Sequence, residues 1–430
     1  MSISIIIGGL FSLVCLIRAF SFLRHKRLID DLPTSKTLGV FIGLVELKGT
    51  AESEAHLTSY LSEISCVLYK WKVDEHWSRT VVTTGPKGVP TTRHESGWKT
   101  VAQGGQSAPF YLKDESGVVR IIPEGAEIED KEVFDKTCKR TDPLYFTKCP
   151  QNEIANSDHQ RRFHETAIPL HANLYVMGQA RERPDVVAAE LARDKKSPIF
   201  LISTRTEKQV SYSHGRWLWF WLVLGLLSAI GGILVGNLVL KPITPVGGQW
   251  YAVAIVGFLS VMALGWVWTV YNSLVGLLQR VRQGWSQVVI QLKRRNDLIS
   301  NLVQVVEGYS THERELQELV AKLRQQTVAT PTGVQGPDYA GVMPALRVTV
   351  ERYPDLKAGE LFLKLQKELV GTEERIALAR DYFNGIATFY NTRLEIVPDR
   401  FLAKMMRLQP RILMTASDFE RAPVKVQLIS

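Results

Sequence analysis

Apolar residues are spread unevenly along this chain of 430 residues. Residues 217–240 contain no Asp, Glu, Lys, Arg or His, and neither do residues 250–278. Wound as a helix, each stretch can cross about 30 Å of hydrocarbon. Residues 1–23 form a third such stretch, broken only by Arg18, whose long side chain can reach the headgroups. The pattern predicts three transmembrane helices, at 1–23, 217–240 and 250–271. A cleaved leader is not expected at 1–23. The basic residues Arg24, Lys26 and Arg27 follow the apolar run instead of preceding it.

Between the first two stretches, residues 36–212 carry short alternating runs such as "VLYKWKV" (67–73), "GVVRII" (117–122) and "NLYVMGQA" (173–180). Alternation bounded by Gly, Pro and Asp breaks predicts strands, and so a β-rich α+β domain. Residues 184–204 predict a short helix or turn and then a further strand. Beyond the third stretch the beat changes. Apolar residues fall at 274, 278, 281, 285, 288, 292, 299, 302, 306, 309, 316, 320 and 323, with Arg295 and Glu313 as polar interruptions. Steps of three and four make a heptad seam, which predicts a long helix packed on other helices. No breaker lies within 250–271, so the third span is expected to run on into this helix, with Gly284 and Gly308 its weak points. "TPTGVQGP" (330–337) ends it, and a shorter helix is expected over 342–353, stopped at Pro354. Phe362, Leu365, Leu369, Ile376, Phe383, Ile386, Tyr390 and Leu394 then repeat the pattern up to Pro398. Residues 272–430 therefore predict an all-α antiparallel bundle with two long helices.

Charge sets the expected orientation. Arg18, Arg24, Lys26 and Arg27 follow the first stretch, and Arg280, Arg282, Lys293, Arg294 and Arg295 follow the third, whereas the loop "KPITPVGGQ" holds only Lys241. The positive-inside bias predicts that both large polar parts lie on the inner, cytoplasmic face of the membrane. Two spans separate those parts, so they share a face whatever the absolute orientation. The net charge of +9 fits this bias together with attraction to anionic lipid. A basic stripe interleaved with exposed aromatics is missing, so no nucleic-acid partner is expected.

The segments "WSQVVIQLKRRNDLISNLVQVVEGYSTHE", "YPDLKAGELFLKLQKEL", "GTEERIALARDYFN" and "YNTRLEIVP" occur in order over residues 271–426. This half resembles the LemA family, which implies a membrane-anchored helical bundle and no particular reaction. Asn296 and Ser300 depart from the family pattern of a small residue and a proline, and Ser300 removes a helix-bending proline there. The segments "LVELKGTAESEAHLTSYLSEISCVLYKWKV", "PFYLKDESGVVRIIPEGAEI", "RRFHETAIPLHANLYVMGQA" and "PIFLIST" make the first half similar to the GIDE, or beside-a-membrane, domain. In mitochondrial ubiquitin ligases of this type one such domain lies between two spans, and a RING finger follows. This sequence has no Cys after Cys149, and a RING needs Cys and His ligands for two zincs. The resemblance therefore does not carry ligase chemistry with it.

Candidate sites are few. Cys138 and Cys149 with His159, His164 and His171 offer zinc-type donors, but no Cys-x-x-Cys pair anchors them, and free thiols are the expectation. A Cys138–Cys149 disulfide becomes the alternative if this face is periplasmic. Ser310, His312 and Glu313 are close in sequence, yet i and i+2 residues on a helix point apart, so they form no triad. Glu313 with Glu315, and Glu373 with Glu374, lack the spacing for acid–base work. No phosphate-binding Gly-rich loop is present. No catalytic, cofactor or metal residue is assigned. Gly225, Ala229, Gly232 and Gly236 form a small-residue ridge expected to pack against another helix, in span three or another subunit. Trp217, Trp219, Trp221 and Trp250 read as an interfacial belt. Arg18 apart, the spans are uncharged, which argues against an ion or proton pathway. Arg295 falls on the seam and is expected to pair with a carboxylate, Glu373 or Glu374, while Lys293 and Arg294 face solvent.

The expected function is a non-enzymatic, self-associating membrane scaffold that organises the bilayer surface or recruits a protein partner. The alternative is a ubiquitin-ligase-like or protease-associated accessory role.

Overall fold

The computed structural model describes residues 3–84, 90–183, 188–195, 197–238, 247–309 and 360–414. Several expectations lie outside these residues: the seam through Leu316, Val320 and Leu323, the Ser310–His312–Glu313 group, the break at 330–337 and the helix over 342–353. The chain divides into two compact units, Thr34–Val210, and Met1–Pro33 together with Ser211–Ser430.

Among the described residues, the first unit holds thirteen strands. They are β1 (Thr34–Ser35), β2 (Gly43–Glu52), β3 (Leu57–Thr58), β4 (Ser65–Thr84), β5 (Pro90–Ser107), β6 (Phe110–Lys113) and β7 (Val118–Ile121), then β8 (Glu127–Glu129), β9 (Lys131–Lys139), β10 (Ser157–Pro169), β11 (Asn173–Glu182), β12 (Ala189–Leu191) and β13 (Leu201–Ser203). Hydrogen bonding runs β2-β6-β7-β12-β11, and β11 pairs back onto β2, so five strands close a barrel. All pairs in the ring are antiparallel except β7 with β12. This is the strand order of an OB-type barrel. Alternate residues point inward, as a period of two requires: Val45 and Leu47, Phe110 and Leu112, Val119 and Ile121, Leu174 and Val176 share one buried cluster. Residues 189–191 form a strand and not the expected helix or turn, because Leu191 pairs with Ile121 and closes the ring.

A second sheet packs β10 between β4 and β9, with β5 along the other edge of β4. The β4–β5 hairpin is far longer than the run 67–73 suggested. Its outer part lacks apolar alternation, and cross-strand polar pairs support it instead, such as Arg79 Nη2 to Glu95 Oε2 at 2.7 Å. Asp114 fixes the β6–β7 turn. Its carboxylate accepts from Ser116 N and Gly117 N, and from Thr37 N at 2.8 Å. Burial opposes the charged form, but hydrogen bonds from Ser116 and Thr37 outweigh it and hold the carboxyl at about 2.

The second unit is helical. Among the described residues, three helices are long and apolar enough to cross a membrane. They are α1 (Ile3–Asp30), α3 (Glu207–Leu238) and α4 (Gln249–Tyr309), with α2 (Leu144–Thr147) a short turn in the β unit. The helix α4 is continuous from the apolar stretch into the heptad region. It packs against α5 (Glu360–Glu395), after which comes α6 (Asp399–Met405). Trp285 meets Phe383 edge to face, and Arg295 meets Glu373, so one chain rises ten residues as the other falls ten. The pair is antiparallel. Val270, Leu274, Val281, Val288, Ile299 and Leu302 are buried on one side, and Phe362, Leu369, Ile376, Phe383, Ile386 and Tyr390 on the other.

Candidate functional site

The apolar helices touch through small residues. A Cβ on Gly232 would lie 2.8 Å from the Ser4 carbonyl oxygen and 3.1 Å from Gly8 Cα. Ser228 Oγ donates to Gly8 O at 3.0 Å. About two turns away, Gly225 faces Cys15 of α1 and Phe258 of α4. Ala229 is half-buried and Gly236 buried on the same helix. The neighbour at Gly232 is thus the first apolar helix, where the sequence pattern pointed to span three or another subunit. As α3 descends from Gly232 to Gly225, α1 climbs from Gly8 to Cys15, so α1 and α3 are antiparallel. Farther along, the Phe20 ring sits against Gly265 of α4.

Where α1 leaves its apolar stretch, four charges interlock. Arg27 donates to both carboxylate oxygens of Asp399, Nη1 at 2.8 Å and Nη2 at 3.1 Å. Arg393 Nε donates to Asp31 Oδ1 at 2.8 Å, and its Nη1 is 3.7 Å from Asp399 Oδ2. Ser273 of α4 adds a contact to Asp31 at 3.4 Å. Asp31 and Asp399 are almost fully buried. Burial pushes the Asp31 carboxyl above the usual carboxylate range, against the pull of Arg393, Arg27 and Arg280. The cluster ties the end of α1 to α4, α5 and α6 at once. Close by, Ser211 donates to Asp30 at 2.6 Å, which joins the end of α1 to the start of α3. Arg27, read from sequence as one of the positive-inside set, is instead a buried ion-pair partner. No local signal exposes this, because its partner lies 372 residues away.

Deeper in the bundle, Arg295 is 5% exposed, and its Nε lies 2.8 Å from Glu373 Oε1. Glu374 on the next position is exposed, as are Lys293 and Arg294. Arg295 thus places a buried cation on the seam between the two long antiparallel helices.

Residues 284–428 match the model of the LemA family.

A second family model, GIDE, described as "E3 Ubiquitin ligase", matches residues 81–236. Protein LemA of Metamycoplasma hominis is 24% identical over 199 residues, 44% of this chain and 89% of that relative. Magnetosome protein MamQ of Magnetospirillum gryphiswaldense is 22% identical over 163 residues, 31% of this chain and 60% of the relative. Magnetosome protein MamQ 2 of Paramagnetospirillum magneticum is 22% identical over 187 residues, 36% and 69% respectively. The LemA-matched segment begins inside α4, so the seam helix carries it directly out of the apolar stretch.

The GIDE-matched segment and its surroundings hold several donor groups. Cys138 is buried and Cys149 half-buried, both are free, and burial raises both thiols. His159 turns to Glu153 at 3.2 Å, and His171 lies beside Glu52 at 2.8 Å. The five zinc-type donors therefore do not converge. His164 lies with Glu132 and Asp135 in a metal-like group, but Arg162 Nη2 already donates to Asp135 at 2.5 Å. That guanidinium occupies the electrostatic role a cation would take. Ser78, His76 and Asp158 also meet, yet hydroxyl and imidazole both address the carboxylate, each at 2.6 Å. A serine whose hydroxyl donates to the carboxylate has no base on it.

Several buried carboxylates escaped the sequence reading, Glu75 and Glu165 of the second sheet among them. Glu75 and Arg161 are both 0% exposed and pair at 2.9 Å, while the guanidinium also donates to the carbonyls of Tyr145, Pro150 and Asn152. Glu165 accepts from three successive backbone N–H groups, Tyr60, Leu61 and Ser62, at 2.8 to 2.9 Å. Both hold loops onto the second sheet. An open cleft of ≈ 670 Å³ beside β4 and β5 is lined by Lys70, Lys72, Gln103, Gln106 and Thr166, with His164 at its rim turned to Asp135.

Proposed function

We propose that this chain is a membrane-anchored scaffold that performs no chemistry of its own, self-associates in the bilayer, and presents its LemA-type bundle and its barrel unit to a protein partner. The observation that carries this reading is α4. One helix of 61 residues runs from an apolar stretch of membrane-crossing length into the bundle seam, so the bundle is mounted rigidly on the anchor. Two further apolar helices pack on it through glycine contacts. In this reading the membrane is a bacterial inner membrane, and both polar parts face the cytoplasm. The names LemA and magnetosome protein MamQ belong to no reaction class, which suits a scaffold.

A second reading follows from the description "E3 Ubiquitin ligase". It would make the chain a ligase-like or protease-associated accessory. The matched segment contains only two cysteines, and the described geometry keeps them apart from the histidines. A RING needs two zinc sites. Light scattering of the full chain in mild detergent tests self-association: a mass that is a multiple of 48.4 kDa is expected, and a strictly monomeric species overturns it. Stoichiometric zinc in the same sample would favour the accessory reading.

A further inference from the structure

We propose that residues 396–413, built around α6, form a membrane contact that does not span, bedding in the headgroup layer of an anionic bilayer. This rests on the membrane-anchored reading above.

The helix α6 has two unlike faces. Inward, Leu402 and Ala403 join Val270 and Leu274 of α4 in one buried cluster, against which Trp266, Met406 and Leu408 also pack. Outward, Val397, Phe401 and Met405 are 61%, 67% and 72% exposed. Phe401 and Met405 are four apart on α6 and so share one face, and Val397, just before the helix, adds to the exposed apolar surface beside them. Ile396, Ile412 and Leu413 extend the exposed apolar surface.

Position sets this surface apart from an ordinary exposed patch. Its inner face rests on the part of α4 that has no charged side chain between Trp250 and Arg280. At a rise of about 1.5 Å per residue, Val270 lies roughly 15 Å short of Arg280. The Phe20–Gly265 contact between two membrane-crossing helices lies only five residues before Val270. The Arg27–Asp399 pair then fastens α6 directly beneath the end of α1. The apolar stripe is therefore continuous with the lipid-facing surface of the anchor and lies at its edge.

Charge selects the occupant. Arg400, Lys404, Arg407 and Arg411 are all exposed around the stripe. The single acid between 396 and 414, Asp399, is buried and already paired with Arg27 and Arg393. Apolar side chains ringed by unopposed cations are the composition of an interfacial helix on anionic lipid. A second copy of the same surface would bring like charges together.

The test uses the full chain with its four cysteines replaced by alanine, reconstituted in vesicles of phosphatidylglycerol and phosphatidylcholine. A nitroxide is placed in turn at Phe401→Cys, Met405→Cys, Leu227→Cys and Ala377→Cys, and collisions with oxygen and with a water-soluble nickel chelate are compared. Leu227 should read deep hydrocarbon, Ala377 water, and Phe401 and Met405 a shallow, oxygen-rich layer. Changing Arg400, Lys404, Arg407 and Arg411 together to Gln should move the two α6 labels toward water. An aqueous Leu227 sinks the membrane reading itself. A lipidic Leu227 with aqueous Phe401 and Met405 overturns this inference alone, as does spin–spin broadening from a second chain. In the cysteine-containing chain, a photo-crosslinking phenylalanine at position 401 should give adducts of lipid mass. Adducts of twice the chain mass would overturn the proposal.

Discussion

Arg295 occupies a seam position where the heptad calls for an apolar residue, and its charge is held by Glu373 at 2.8 Å. The pair is lopsided: Arg295 is 6% exposed at its side chain, Glu373 38%. Solvent at Glu373 screens the attraction, so most of the arginine's worth lies in filling the seam with its long stem. Arg295→Ala loses both and is expected to cost about 1–3 kcal/mol, whereas Arg295→Leu keeps the packing and frees a carboxylate that can turn to water. Thermal unfolding in detergent should rank wild type and Leu above Ala; equal midpoints for all three would show the seam does not need this side chain. In the barrel unit, Asp114 gives a pH signature. Its folded carboxyl sits at about 2, below its ordinary value. The unfolded chain therefore binds the proton first, and the stabilising contribution is full above about pH 4 and disappears as pH falls toward about 2. Asp114→Asn should flatten that part of a stability–pH curve, and an unchanged slope would count against the role given to the turn.

At the scale of elements, the seam was legible because a heptad beat leaves a periodic mark in sequence, and Val288, Ile299 and Leu302 are buried where the beat puts them. The β4–β5 hairpin was not, because Arg79, Glu95, Thr80 and His94 pair with one another and never alternate with apolar residues. The junction at Arg27 was illegible for another reason: its partners are brought in from the far end of the chain. The glycine ridge lay between these cases. The spacing of Gly225, Ala229, Gly232 and Gly236 marks a helix face, but spacing cannot name the neighbour. With α1 now identified beside Gly232, the ridge makes a sharp prediction. Gly232→Leu would drive a side chain into the Ser4 carbonyl and the Gly8 backbone, whereas a Cβ on the adjacent Gly231 meets nothing within 4 Å. Overpacking of this kind costs about 1–3 kcal/mol. Gly232→Leu should lower the unfolding midpoint in detergent and Gly231→Leu should leave it nearly unchanged. Equal effects would mean that the α1–α3 contact contributes little.

For the molecule as a whole, the proposal depends on which way the chain crosses. In the second unit, α1 and α3 run antiparallel, and Asp30 meets Ser211 at one end of the pair. The chain thus leaves α1 and enters α3 at the same end. The helix α4 follows α3 and shares the buried charge junction with α1 through Ser273, Arg393 and Asp399. Arginine and lysine after the first and third apolar stretches, and their scarcity in the loop between the second and third, bias that end toward the cytoplasm. The segments 34–206 and 272–430 are therefore expected on the same side. Single cysteines at exposed Val82 and Ala377 should react with a membrane-impermeant maleimide in inverted vesicles and stay protected in right-side-out ones. A cysteine at Gly248, beside the start of α4, should show the reverse. Val82 and Ala377 labelling from opposite sides would break the three-span arrangement. Both labelling from the outer side would keep the arrangement and reverse its orientation, placing Cys138 and Cys149 where a disulfide can form and persist.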